Sequence, residues 1–361
     1  MSKGIGVNTS LHGGASGTRR FAGIVCALVF AAGMAVQASD PYVDANRRIY
    51  YFPAQAGLAY SDLCFARDGA PNSNPAALME DASTELQLSY SGYFRNTYSS
   101  SMLSYVTSLE RIGAIGVSLN YVYVPDVLDN RGWETTSGGA PIVPPVSEWD
   151  YATVSEIYAH AAYAYRWDFS RLSLSAGLGL NVLRRRLLEW TGYGIGLDGG
   201  LQVHFANSGV RAGLIVENLT TSYMNWSKEY DEIALPHARV GVGWRREFPY
   251  VYGAIQLSYT SPDLLANEGV NGTSFLTEGD SAEAPVEMHL PEDPQLLFSG
   301  NYGIEYTIAN VVSVRVGLAN VRRFTFGAGV ALLNQMLLVD FAYLPHQLGG
   351  SYAFSVGCRW P

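Results

Sequence analysis

Charge is scarce in this chain. Of its 361 residues, 15% are Asp, Glu, Lys or Arg, and the formal net charge is −9. The arginines are scattered through alternating segments, so nothing forms the basic face that nucleic-acid binding requires. Cysteine is scarcer still: Cys26, Cys64 and Cys358. Cys26 falls inside an apolar leader, which leaves at most one disulfide in the mature chain. An exported protein could form a Cys64–Cys358 bridge. However, Cys358 shares parity with outward-facing aromatics while Cys64 lies in the N-terminal segment, which argues against pairing. The third shortage is of long apolar runs. Beyond the leader no stretch reaches the about 20 residues of a membrane-crossing helix, so helical spans are excluded from the mature chain.

What the chain has instead is tyrosine, glycine and alternation. It carries 24 Tyr and 38 Gly, with a mean hydropathy of +0.05. Between Leu296 and Trp360 apolar residues recur at every second position five times over. One such row is Phe298, Gly300, Tyr302, Ile304, Tyr306 and Ile308; the last is Tyr352, Phe354, Val356, Cys358 and Trp360. Period two with short turns means antiparallel hairpins. Interior glycines at this density would destabilise a helix by about 1 kcal/mol each. From Thr84 onward the pattern predicts fourteen strands, at about 84–94, 97–109, 111–124, 153–167, 172–186, 191–205, 210–219, 235–246, 249–260, 296–308, 311–319, 322–332, 336–345 and 350–360. Fourteen is even, as single-chain bacterial barrels require. The long connections, 125–152, 220–234 and 261–295, are all odd-numbered and so lie at one end, with tight turns at the other. Transmembrane barrels segregate their loops in this way; a soluble sandwich has no reason to.

Arg19-Arg20 precede an apolar run, Phe21 to Val36, that ends in Val36-Gln37-Ala38. This pattern predicts a signal peptide over 1–38 with cleavage after Ala38. No small residues stand immediately before Cys26, which argues against a lipid anchor. Segment 39–83 lacks sustained alternation yet carries many apolar residues. The reading that follows is an all-β chain: a leader (1–38), an N-terminal segment (39–83) and a fourteen-stranded antiparallel transmembrane barrel (84–361) in the bacterial outer membrane. Its partners would be outer-membrane lipid and the barrel assembly machinery.

Asn74-Pro75-Ala76-Ala77-Leu78 resembles the Asn-Pro-Ala motif in the hatch of FadL-like outer-membrane proteins. Gly303-Ile-Glu-Tyr306, Val314-Arg-Val-Gly-Leu318, Phe324-Thr-Phe-Gly-Ala-Gly329 and Val339-Asp-Phe-Ala-Tyr343 are similar to C-terminal strands of the PorV/PorQ branch of that superfamily. Val216-Glu-Asn-Leu219 resembles another strand of the same branch. The resemblance covers about 53–361. It implies that 39–83 is a hatch folded into the barrel, with Asn74, Pro75 and Ala76 as its motif. It also implies uptake of long-chain fatty acids or other hydrophobic small molecules, partly through a lateral opening in the wall. The PorV alternative implies binding of the C-terminal signal of secreted proteins in type IX secretion.

The inward parity of the strands carries Glu156, His160, Arg185, Asp198, His204, Arg211, Glu217, Arg239, Arg245, Glu305, Arg315 and Asp340. Opposite charges on one face should pair and knit the lumen to the hatch. A three-residue turn at Ala309-Asn310-Val311 should set Glu305 directly opposite Arg315. Glu156 and His160 lie about 13 Å apart by strand rise, too far for one to orient the other in catalysis. No enzyme, metal or cofactor is expected. The stretch 261–295 holds eight carboxylates and no Lys or Arg, without calcium-loop spacing, and reads as an acidic external loop. Arg184 and Arg186 continue an outward row at the external headgroup level, where they read first as a solvated strand tip and, in the alternative, as a contact for lipopolysaccharide phosphates.

Overall fold

The computed structural model describes residues 52–65, 73–80, 83–133, 142–227, 231–265 and 298–360. The leader 1–38 and most of the acidic stretch lie outside the described residues. A short helix, α1 (Pro53–Gly57), and a 3-10 turn (Pro75–Glu80) precede sixteen strand segments. These are β1 (Thr84–Tyr93), β2 (Tyr98–Ser108), β3 (Ala114–Asp129), β4 (Asp150–Asp168), β5 (Ser173–Leu187), β6 (Trp190–Phe205), β7 (Val210–Glu217) and β8 (Ser222–Trp226). There follow β9 (Asp231–Ala234), β10 (His237–Phe248), β11 (Gly253–Thr260), β12 (Asn301–Ile308), β13 (Val312–Ala319), β14 (Arg323–Leu332), β15 (Leu337–Leu344) and β16 (Ser351–Trp360).

The segments form one antiparallel sheet that closes on itself. β1 pairs with β16, from Thr84 opposite Trp360 to Gly92 opposite Tyr352. Two pairs of segments are interrupted single strands. β7 and β8 both pair with β6, at Gly199–Val216 and then at Ile195–Tyr223. β10 and β9 continue the next position by pairing with β7 and β8. Sixteen segments therefore make a barrel of fourteen strands. Closure leaves no free edge and satisfies the backbone without water, the condition for a sheet in lipid.

The distribution of burial inverts that of a soluble protein. Leu178, Leu180 and Val182 on the outer face of β5 are exposed, while Ser175, Gly177 and Asn181 on its inner face are buried. β16 repeats this, with Phe354 and Val356 outward and Ser351, Ala353 and Ser355 inward. An apolar belt of this extent needs hydrocarbon around it, which places the chain in the bacterial outer membrane.

The strand bounds fall within a few residues of the sequence reading, with one correction. The connection 220–234 is not a long loop, because β8 and β9 occupy most of it and raise the wall there. Its alternation is only five and four residues long, too short to stand out from a loop. A second correction concerns Asp263, expected in the acidic loop. It is buried and accepts hydrogen bonds from the Ala238 and Leu265 amides at 2.8 and 3.0 Å.

Candidate functional site

The described part of the N-terminal segment lies against the inner faces of the strands. α1 packs on β13–β16, and the 3-10 turn on β2–β6. The small residues of the inward rows make this possible. A side chain at Gly177 on β5 would meet the Pro75 carbonyl carbon at 2.5 Å and the Ala76 nitrogen at 2.6 Å. Gly57 itself abuts Gly327 on β14, where an added Cβ would lie 2.8 Å from its Cα. Asn74 sits beside Gly200 and Gly213. Its Oδ1 accepts from the Ala76 amide at 3.1 Å, and its Nδ2 donates to the Leu63 carbonyl at 3.4 Å. Asn74, Pro75 and Ala76 are all buried. The Asn side chain closes a local turn, and Pro75 keeps Asn74 out of the helical region.

An ionic contact adds to this packing. Glu80, after the motif, pairs with Arg211 on β7 and accepts from Gln202 on β6. Arg211 also lies 4.6 Å over the Phe65 ring, and Gln202 donates to the Cys64 carbonyl at 2.9 Å. Burial raises the Glu80 carboxyl above the ordinary carboxylate range, against the pull of Arg211. Burial also pushes the Cys64 thiol up to about 12, with Glu80 adding to the rise. Thiol reagents attack the thiolate. At pH 8, Cys64 in the folded protein should therefore label at least 100-fold more slowly than in urea. Equal rates, followed by mass spectrometry of the Cys64 peptide, would mean that this segment is not docked. Among the described residues both cysteines are free, Cys64 buried and Cys358 exposed.

The other inward charges form separate groups, mostly between strands. Arg185 donates to Glu156 at 2.5 Å and lies 3.7 Å from Glu232 on β9. Arg239 pairs with Glu217 at 2.7 Å. Glu305 stands directly opposite Arg315, as the three-residue turn required. The Arg315 guanidinium bridges Glu305 and Asp340, each at 2.5 Å. Arg245, 3.9 Å from Glu305, is exposed at the short-turn end. His204 stands across from Arg211, half-buried. Arg211 is thus the member of the set that reaches the N-terminal segment through Glu80. Glu156 and His160 turn to different partners, Arg185 and Asp198.

The interrupted strands hold the most specialised geometry. Between β7 and β8 the chain leaves the ladder at Asn218–Thr221. Asn218 has φ 53° and Thr221 φ 60°. Asn tolerates the left-handed region, whereas a β-branched Thr there is strained. Asp198 on β6 anchors the break. Its Oδ1 accepts from the Asn218 amide at 2.9 Å, and its Oδ2 from Asn181 Nδ2 at 2.9 Å. His160 Nε2 lies 3.4 Å from the same oxygen. Ser222 Oγ donates to Asn218 Oδ1 at 2.6 Å, and Asn218 Nδ2 to the Leu235 carbonyl at 3.3 Å, beside the gap between β9 and β10. A small cleft at the break is lined by Tyr158, Asn181, Leu183, Gly194–Gly196, Asn218 and Ser222. Further toward the long-loop end Val122, Tyr158, Leu183, Met224, Trp226 and Ala234 form an apolar cluster inside the barrel.

Sequence reasoning placed Asp198, His160, Glu156 and Arg185 on the inner face but did not find Asn218, Ser222, Met224, Trp226, Glu232 or Glu80. Asn218 lay within the Val216–Leu219 resemblance, the one available signal. Among the described residues, no group of three or more His, Cys, Asp or Glu is arranged to hold a metal ion.

The sequence matches no family model and no curated protein. Among solved structures, the chain is similar to the Pseudomonas putida toluene transporter TodX, with 11% identity over 90% of this chain and 98% of that one, at a TM-score of 0.47. It is also similar to the Acinetobacter baumannii outer membrane protein Omp33, with 8% identity over 77% and 98%, at 0.39. At these values the fold assignment rests on the strand pairing itself. By that pairing the chain has the architecture of an outer-membrane barrel, fourteen strands closed around a lumen.

Proposed function

We propose that this barrel moves hydrophobic small molecules across the outer membrane, in the manner of the FadL-like proteins its sequence resembles, with 39–83 as a hatch. The observation that carries this reading is the apolar cluster inside the lumen. Water-filled barrels line their interiors with polar groups. Here Met224 and Trp226 on β8 and Ala234 on β9, all buried and inward-facing, pack apolar side chains together at the place where the wall is interrupted. A solute leaving water is favoured there by about 25 cal/mol per Å² of apolar area it buries. The break at Asn218–Thr221 supplies the weak point through which it passes sideways into lipid. The paired charges elsewhere hold the wall together.

The test is uptake. Expression in cells lacking their own hydrophobic-solute transporters should raise accumulation of labelled fatty acid or toluene above that of cells with the empty vector. Met224→Gln, which keeps the volume but places an amide in the cluster, should cut the gain about fivefold, equivalent to about 1 kcal/mol. No gain in uptake, combined with retention of a secreted C-terminal signal domain, would replace this reading with the PorV-type role.

A further inference from the structure

The run Arg184-Arg185-Arg186 divides between two faces of β5. Arg185 points inward and is bonded to Glu156. Arg184 and Arg186 point outward and are exposed. An arginine on the lipid face is costly at mid-membrane and nearly free at the interface, so the height of these two residues matters. The outward apolar residues of β5 run from Leu174 to Val182. At about 3.3 Å per residue and a tilt of about 40°, that is a belt of about 20 Å, close to the about 25 Å apolar band of such barrels. Arg184 and Arg186 are the next two outward positions, just above it. They stand at the end that carries the long connections, the external side.

Their neighbours fit an anionic headgroup. Arg184 is flanked across the sheet by Ile157 and Tyr193, and Arg186 by Ser155 and Thr191. Tyr123 lies beyond Ser155 on the same level. Three hydroxyl-bearing residues therefore share the level of Arg186 in the sheet. Arg186 donates through Nε to the Leu188 carbonyl at 3.3 Å. Three carboxylates at this end of the wall are otherwise engaged. Glu189 and Asp129 bind Arg131, each at 2.7 Å. Asp231, three segments along the wall, accepts from Asn225. A planar guanidinium holds two phosphate oxygens at once.

We propose that Arg184 and Arg186, with Ser155, Thr191 and Tyr123, form a binding surface for the phosphorylated headgroup of an outer-leaflet lipid. This goes beyond the transport reading and does not depend on it.

The full protein in nanodiscs, supplied with lipid A carrying both phosphates or with the same lipid stripped of them, should retain the phosphorylated form in preference. Arg184→Gln/Arg186→Gln should lower that retention at least fivefold and leave the stripped lipid unchanged. Arg171→Gln, at the opposite end of the barrel, should change neither. Equal retention in wild type and double variant would overturn the proposal. So would equal retention of the two lipids by wild type, an outcome readable even if the double variant fails to assemble. Uptake of hydrophobic solute by the double variant should match wild type, which separates this surface from the transport site.

Discussion

Removing residues 39–83 should turn a barrel that conducts little into one that passes small ions freely. In planar bilayers the expected rise is at least tenfold. The described residues 52–65 and 73–80 touch strands around much of the circumference. α1 meets β13–β16, Ser61 and Leu63 fill the spaces beside Gly303 and Gly241, and Pro75 lies on Gly177. A fourteen-stranded barrel is too wide for its own wall side chains to seal, and its inward rows are rich in glycine and serine. On the hatch reading, the obstruction is the segment. Barrel assembly should survive the deletion, because Arg185–Glu156, Arg239–Glu217 and Arg315–Glu305 all join strand to strand. Equal conductance of the two forms would mean that the segment does not obstruct the pore, and the hatch reading would fail with it.

Arg315→Ala should be the most damaging single substitution in the wall. Arg315 is buried and serves two carboxylates at once, Glu305 and Asp340. Its loss leaves two buried negative charges facing one another, and breaking a buried pair costs about 3–5 kcal/mol. The expected result is a fall of that size in stability, measured by urea unfolding in detergent micelles and by the temperature at which the fast-migrating folded band disappears. Arg315→Lys should fall between, since a single ammonium cannot fork to both partners. Replacing Glu305, Arg315 and Asp340 together by apolar residues of similar volume should recover most of the loss. If Arg315→Ala unfolds like wild type, the three groups are not a closed network.

Much of this was legible in the chain because a barrel strand has the simplest of periods. Once Ser175, Gly177, Gly179 and Asn181 alternate with Leu174, Leu178, Leu180 and Val182, each residue's face is fixed. The odd-length turn at Ala309–Val311 then fixes that Glu305 meets Arg315. Strand number and the outward direction of Arg184 and Arg186 follow from local pattern alone. Tertiary structure decided what those inward groups meet. Alternation says that Gly177, Gly241 and Gly317 face the lumen; only closure shows that they are small because Pro75, Leu63 and Ala59 lie on them. It says that Asp198 faces inward, but not that the carboxylate holds a broken strand twenty residues away through the Asn218 amide. The break itself was hidden, because β8 and β9 resume after irregular residues and look like loop. Period is a property of neighbours in sequence and survives in the string. Partners across a lumen are set by barrel closure and strand stagger, which no short window of residues contains.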